Sequence, residues 1–348
     1  MKRQIALLVL LSLMPLSTWA DYIYVVENGS SEVAKYTTTG SLVNASLITG
    51  LNSPTDIKLD GRGNLFVALE GGLTPGGVSM FTTGGVPVNT SLVTNLLGVN
   101  CVAFSGTNLF VTLENTAFVS CYGLSGATVV SSNTTFITSE TKYPGPIVTD
   151  GSDIYINDTF LGFLQKYTMA GAPVDQELDL GEPSGLSMAI DGTNLFVALF
   201  LNNRVAEYST TGRIITTNLI TGLNGPYGLA ADGQGHLFVA SYNSGTVAEY
   251  TTSGALINPS LITGLNAPVA LAVEVVTVAP SLGIRQARNT VMATWTGTAG
   301  FLLQTNPDLT TPNWRVDNDV TSANGTNTAV VASPTGKLFF RLESTNSP

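Results

Sequence analysis

The sequence predicts an all-β fold: a six-bladed β-propeller over residues 21–276, followed by a small β-sandwich-like module over 277–348. Three observations carry this expectation. A short motif recurs at a nearly constant period, other signals keep their phase inside that period, and the last repeat ends in a strand whose partner stands at the start of the chain.

The motif is polar, aliphatic, aromatic, aliphatic. Its six copies begin at Tyr22, Asn64, Asn108, Asp153, Asn194 and His236, so successive copies lie 42, 44, 45, 41 and 42 residues apart. Four strands of about six residues joined by short turns need roughly 40 residues. One period therefore matches one propeller blade.

Inside each period an aromatic follows thirteen residues after the first aliphatic position, as Tyr36, Tyr122, Tyr167, Tyr208 and Tyr250. In the second repeat it is Phe81, sixteen residues on, because the loop at 71–77 is longer. Turns such as Thr37-Thr38-Thr39-Gly40 and Thr251-Thr252-Ser253-Gly254 come next, with glycine where a hairpin calls for positive φ. A strand then closes on Asp60-Gly61, Asp150-Gly151, Asp191-Gly192 or Asp232-Gly233. With the strands of a blade counted from the axis outward, this Asp-Gly turn joins the innermost strand to the second.

The chain thus enters the repeats at a second strand, 22–26, and leaves them at an innermost strand, 268–274. Pairing the two completes the first blade and removes the exposed edges that an open array would keep. The series Pro226 to Ala240, P-x-G-L-A-x-D-G-x-G-x-L-F-V-A, followed by V-A-E-Y at 247–250, resembles the NHL repeat of six-bladed propellers. That resemblance implies the fold and leaves the activity open, since such propellers include enzymes and binding platforms alike.

Beyond Ala279 the period is lost. β-like runs at 282–288, 290–296, 300–305, 313–316, 327–332 and 337–343 alternate with Asn, Gly, Thr and Pro turns, and Trp295, Trp314, Phe301, Phe339 and Phe340 offer a compact core. The stretches Gly300 to Asn306, Asn313-Trp314 and Phe339 to Leu342 resemble a C-terminal module of large exported proteins of Planctomycetes and Verrucomicrobia.

The first twenty residues read as a secretory signal: Lys2 and Arg3, an apolar run from Ile5 to Leu13, then Thr18-Trp19-Ala20 before Asp21. The expected product is secreted, periplasmic or at the cell surface, with cleavage after Ala20 and no transmembrane segment. Without Lys2 and Arg3 the chain carries twelve basic against 24 acidic residues, which excludes a nucleic-acid partner. Charged residues make up only 11%, so the surface must be built largely from Ser, Thr, Asn and Gly. Cys101 and Cys121 fall on the first and third strands of one blade, about 9.6 Å apart. That exceeds the roughly 7 Å limit for a disulfide, so free thiols are expected.

Propeller ligands are expected at the face carrying the loops between second and third strands, here called the upper face. Strand alternation turns Asp56 and Lys58 of the second blade toward the channel as an ion pair, among a lining otherwise mostly Ala, Gly, Pro and Val. On the upper rim Glu27, Glu70, Glu114 and Asp158 close the second strands of blades one to four. Phe200, Leu201, Tyr242 and Asn243 stand at those places in blades five and six. A rim half acidic and half aromatic suits a protein, peptide or carbohydrate ligand. No cofactor is expected, Ca2+ being the cation that rim carboxylates would suit if they converge. With His236 as the only histidine, set beside a turn on the opposite face, neither a His-rich zinc site nor a Ser-His-Asp set can be assembled. The expectation is therefore a non-catalytic binding or scaffold protein. The alternatives are a metal-dependent hydrolase or lyase of the lactonase-like propeller class, using Glu27, Glu70, Glu114 or Asp158, and a structural cell-surface component.

Overall fold

The computed structural model describes residues 21–276, apart from Leu73, Asn115, Ala117, 139–142 and 180–184, and beyond them the strands of 282–344 with some adjoining positions. The expected signal sequence, and with it the Ala20 cleavage site, lies outside the described residues, as do Asn115 and Trp314. All regular structure among the described residues is β. The chain divides into two compact units, one over Ala20–Val275 and one that includes Val276–Pro348.

In the first unit the described residues form six four-stranded antiparallel sheets. Five are continuous in sequence, with innermost strands Pro54–Leu59, Val99–Ser105, Pro144–Thr149, Gly185–Asp191 and Pro226–Ala231. The remaining sheet joins the two ends: Pro268–Glu274 pairs with Tyr22–Glu27, Tyr22 opposite Glu274 and Val25 opposite Leu271. Each innermost strand contacts the innermost strands of both neighbouring sheets, so the six close into a ring.

The repeated motif explains the burial. In Asn64–Leu69, Leu65, Phe66, Val67 and Ala68 are all buried, and the same run is buried in the second strand of every other sheet. An apolar run without alternation means that both faces of the strand are covered. Here the cover is the adjacent sheet on each side, giving a core divided into clusters between neighbours. Each Phe at this position is worth about 3–5 kcal/mol against alanine.

The Asp-Gly turns cap themselves. Asp60 Oδ1 accepts from the Arg62 and Asn64 amides at 2.8 and 3.1 Å, and Oδ2 accepts from Asn64 Nδ2 at 2.7 Å. In the sixth blade His236 takes the Asn64 position, its Nδ1 2.6 Å from Asp232 Oδ2. Cys101 and Cys121 are both free, on the first and third strands of one sheet.

In the second unit Leu282–Ala287, Thr290–Thr296, Thr326–Ala332 and Val320–Ala323 form one sheet, and Arg315–Val316, Phe301–Asn306 and Phe339–Ser344 another. Trp295, Ala293, Leu303 and Ala329 make its buried core, with Phe340 packed against it.

Candidate functional site

Two openings mark the ends of the central channel. The lower one is a funnel of about 280 Å³ walled by apolar side chains such as Ala103, Val148, Ala189, Ala230 and Ala272, with Lys58 the only charged residue among the described residues that line it. The upper one is smaller, about 90 Å³, and polar, bringing together Asp56, Lys58, Glu70, Glu114, Cys101 and Tyr227. A space of that size holds several waters.

Asp56 anchors the upper cavity. It is 4% exposed, and its Oδ1 accepts from Lys58 Nζ at 2.6 Å and from the Ile57 amide at 2.8 Å. Its Oδ2 reaches the next blade and accepts from the Val102 amide at 3.0 Å. Ser187 repeats the device across the ring, accepting from the Leu229 amide at 3.1 Å. The Asp56–Lys58 pair therefore ties two blades together, which leaves little freedom for proton transfer. Burial pushes the Cys101 thiol well up, with Asp56 adding to it, and that thiol donates to Asn100 Oδ1 at 3.1 Å. A protonated thiol is a poor nucleophile.

Glu70 and Glu114 are different. Among the described residues no hydrogen-bond donor meets either carboxylate. Burial raises the Glu114 carboxyl above its ordinary value and the charge of Glu70 raises it further, so the two acids face the same space. The Tyr227 phenol is also raised, by burial first and then by Cys101 and Glu114.

The other rim acids have structural partners. Glu27 is buried and its Oε2 accepts from the Asn266 amide at 2.6 Å, clasping the loop that leads into the closing strand. Asp158 caps its own turn, Oδ1 accepting from the Phe160 and Leu161 amides at 2.8 and 2.5 Å. Its Oδ2 and the Oδ1 of Asn157 are buried and meet no hydrogen-bond partner among the described residues. Among the described residues no group of three or more His, Cys, Asp or Glu side chains is arranged to hold a metal ion.

With Asp158 turned inward, blade four presents aromatic surface. Phe160 is 66% exposed beside Tyr143, ring centroids 5.2 Å apart. Phe200, Tyr227 and Tyr242 of blades five and six form a second cluster, with centroids 5.8 to 6.3 Å apart. Leu201, 69% exposed, and Leu161 extend this apolar arc. The rim thus divides into an acidic part, Glu70 and Glu114 on blades two and three, and an aromatic part on blades four to six. Sequence reasoning missed Tyr143, Phe160 and Tyr227. The spacing Asp158-x-Phe160 marked an Asp that caps the following amides and frees the aromatic.

No protein-family model and no curated protein matches the chain. Solved structures do. A chain of a nidogen/laminin complex superposes with a TM-score of 0.60 at 11% identity, covering 73% of this chain and 98% of that one. A protein of unknown function from Bacteroides caccae gives 0.57 at 12%, over 74% and 99%. What is shared is the β-propeller. Virginiamycin B lyase from Staphylococcus aureus also matches, at 0.48 and 15%, over 69% and 90%. At these identities the likeness shows the fold alone.

Proposed function

We propose that the chain is an exported binding protein, of the NHL-repeat kind, that holds a protein, peptide or carbohydrate ligand on the upper face of its propeller. The observation that carries this reading is the aromatic arc of blades four to six beside a small polar cavity. Exposed aromatics grouped on one rim supply contact area at low conformational cost. The open carboxylates of Glu70 and Glu114 add polar groups that orient a ligand.

The nidogen/laminin match places this fold in a protein–protein complex elsewhere, which agrees with the reading. Catalysis lacks comparable support. Of the carboxylates that a lactonase-like site would use, Glu27 and Asp158 are committed to backbone amides, and Lys58 is committed to Asp56.

The test is binding of the purified chain to arrayed glycans and peptides, repeated with Phe160→Ser and Tyr242→Ser. The expected result is a ligand whose capture falls by about tenfold or more in each variant, while thermal unfolding stays unchanged. A ligand held equally well by both variants would move the site off this face.

A further inference from the structure

Six seams join neighbouring blades, and equivalent residues build each one. On the lower side, a cross-strand pair from the second and third strands of one blade faces the turn between the third and fourth strands of the next. The pairs are Tyr24–Lys35, Phe66–Met80, Phe110–Cys121, Tyr155–Lys166, Phe196–Glu207 and Phe238–Glu249. They form three chemical classes: two cationic, two apolar and two acidic.

The cationic seams show what the site can hold. At the first, Lys35 Nζ donates to the Thr83 carbonyl at 3.2 Å, lies 3.7 Å from Glu274 and sits over the Tyr22 ring at 3.8 Å. Tyr24 Oη donates to the same carbonyl at 3.1 Å. The fourth seam repeats the arrangement: Lys166 Nζ and Tyr155 Oη reach the Thr210 carbonyl at 3.2 and 3.1 Å, with Asp153 pairing the ammonium at 2.8 Å. In both, a primary ammonium lies between an acid and a turn carbonyl.

At the sixth seam the surroundings remain and the ammonium is absent. Asp232 stands where Glu274 does, the His236 ring stands where Tyr22 does, and Thr38 occupies the place of Thr83. The lysine position is Glu249, so the ammonium's place is opened rather than filled. A cavity of about 450 Å³ results, between Glu249 and the Thr38–Thr39 turn, with Ile257 and Leu261 along its wall. Asp232 is engaged by His236, and the Glu249 carboxylate, with Asp21 also on the cavity wall, answers a cation. Glu207, its counterpart at the fifth seam, is buried.

We propose that the sixth seam binds a primary alkylammonium group. The ammonium lies between the Glu249 carboxylate and the Thr38 carbonyl, where Lys35 and Lys166 place theirs, and the alkyl chain runs along Ile257 and Leu261. This site is independent of the upper face and of the reading given to it.

Calorimetric titration of the full chain with cadaverine, and separately with Nα-acetyl-lysine methylamide, tests the assignment. Saturable binding is expected, lost in Glu249→Lys, whose own ammonium fills the seam, and weakened about tenfold in Glu249→Gln. Glu249→Lys should also raise the melting temperature by about 2 °C. Binding of the diamine alone identifies a free amine as the ligand; binding of both probes identifies a lysine side chain of a partner. No saturable binding of either probe overturns the proposal. So does affinity that survives Glu249→Lys, or that is lost in Glu70→Gln instead.

Discussion

The seam between the first two blades and the upper mouth of the channel contain similar residues in opposite states. At the seam, the Tyr24 hydroxyl, the Lys35 ammonium and the Glu274 carboxylate meet one another and the Thr83 carbonyl. At the mouth, Glu70 and Glu114 meet no donor among the described residues, and Phe160 and Leu201 lie open to solvent. Buried polar groups normally find partners, and a set that is complete within the chain holds structure. A set left incomplete at a concave surface is where an outside group can add something.

The largest loss of stability is expected at the turn glycines. Gly40 sits at φ +85°, and a Cβ there would lie 2.2 Å from the Leu261 carbonyl oxygen of the preceding blade. Gly61 has a similar φ of +70° with nothing within 4 Å. Gly61→Ala should therefore cost only the backbone term, about 1 kcal/mol, while Gly40→Ala adds a forced displacement for a total of roughly 2–4 kcal/mol. Urea denaturation of the two variants measures the difference. Equal costs would mean that the seam yields freely and does not fix the blades.

A smaller effect is expected from Tyr24→Phe, which installs at the first seam the residue that Phe66 and Phe110 supply at the second and third. It removes one donor shared between Glu274 and the Thr83 carbonyl, at 2.5 and 3.1 Å. The loss should be about 1–2 kcal/mol, because the Glu274 carboxylate keeps Lys35 and some solvent. A Tm equal to that of the unaltered chain would show that apolar packing alone holds this seam.

Much of the seam was legible in the sequence, and less of the mouth. The period, the turn glycines and the closure between 22–26 and 268–274 follow from repetition, which shows itself without knowledge of contacts. Strand alternation likewise turned Asp56 and Lys58 toward the channel. It could not show that Asp56 also reaches the Val102 amide, 46 residues away. Nor could position on the rim separate Glu27 and Asp158 from Glu70 and Glu114. All four close a second strand, and only the local loop decides. The amides of Phe160 and Leu161 turn back on Asp158, and that of Asn266 arrives from the far end of the ring to meet Glu27.

The finest test concerns the two acids that stay open. The Glu114 carboxyl is raised by burial and then by Glu70, so the folded chain holds that proton more tightly than the unfolded chain does. Stability from this group is full below the ordinary carboxyl range and is lost as pH rises through the raised folded value. At pH 7 the charge is a small burden, and Glu114→Gln should stabilise slightly there. The gain should vanish as pH falls below that range, where Glu114 is protonated in both states. Glu70→Gln should draw the Glu114 titration, followed by carboxyl carbon chemical shifts, down toward its ordinary value without restoring it fully, since burial is the larger cause. If the Glu114 midpoint ignores Glu70→Gln, the two carboxylates do not share one space. The acidic part of the mouth then falls into separate loop ends, and the aromatic arc is left as the only contrast with the seams.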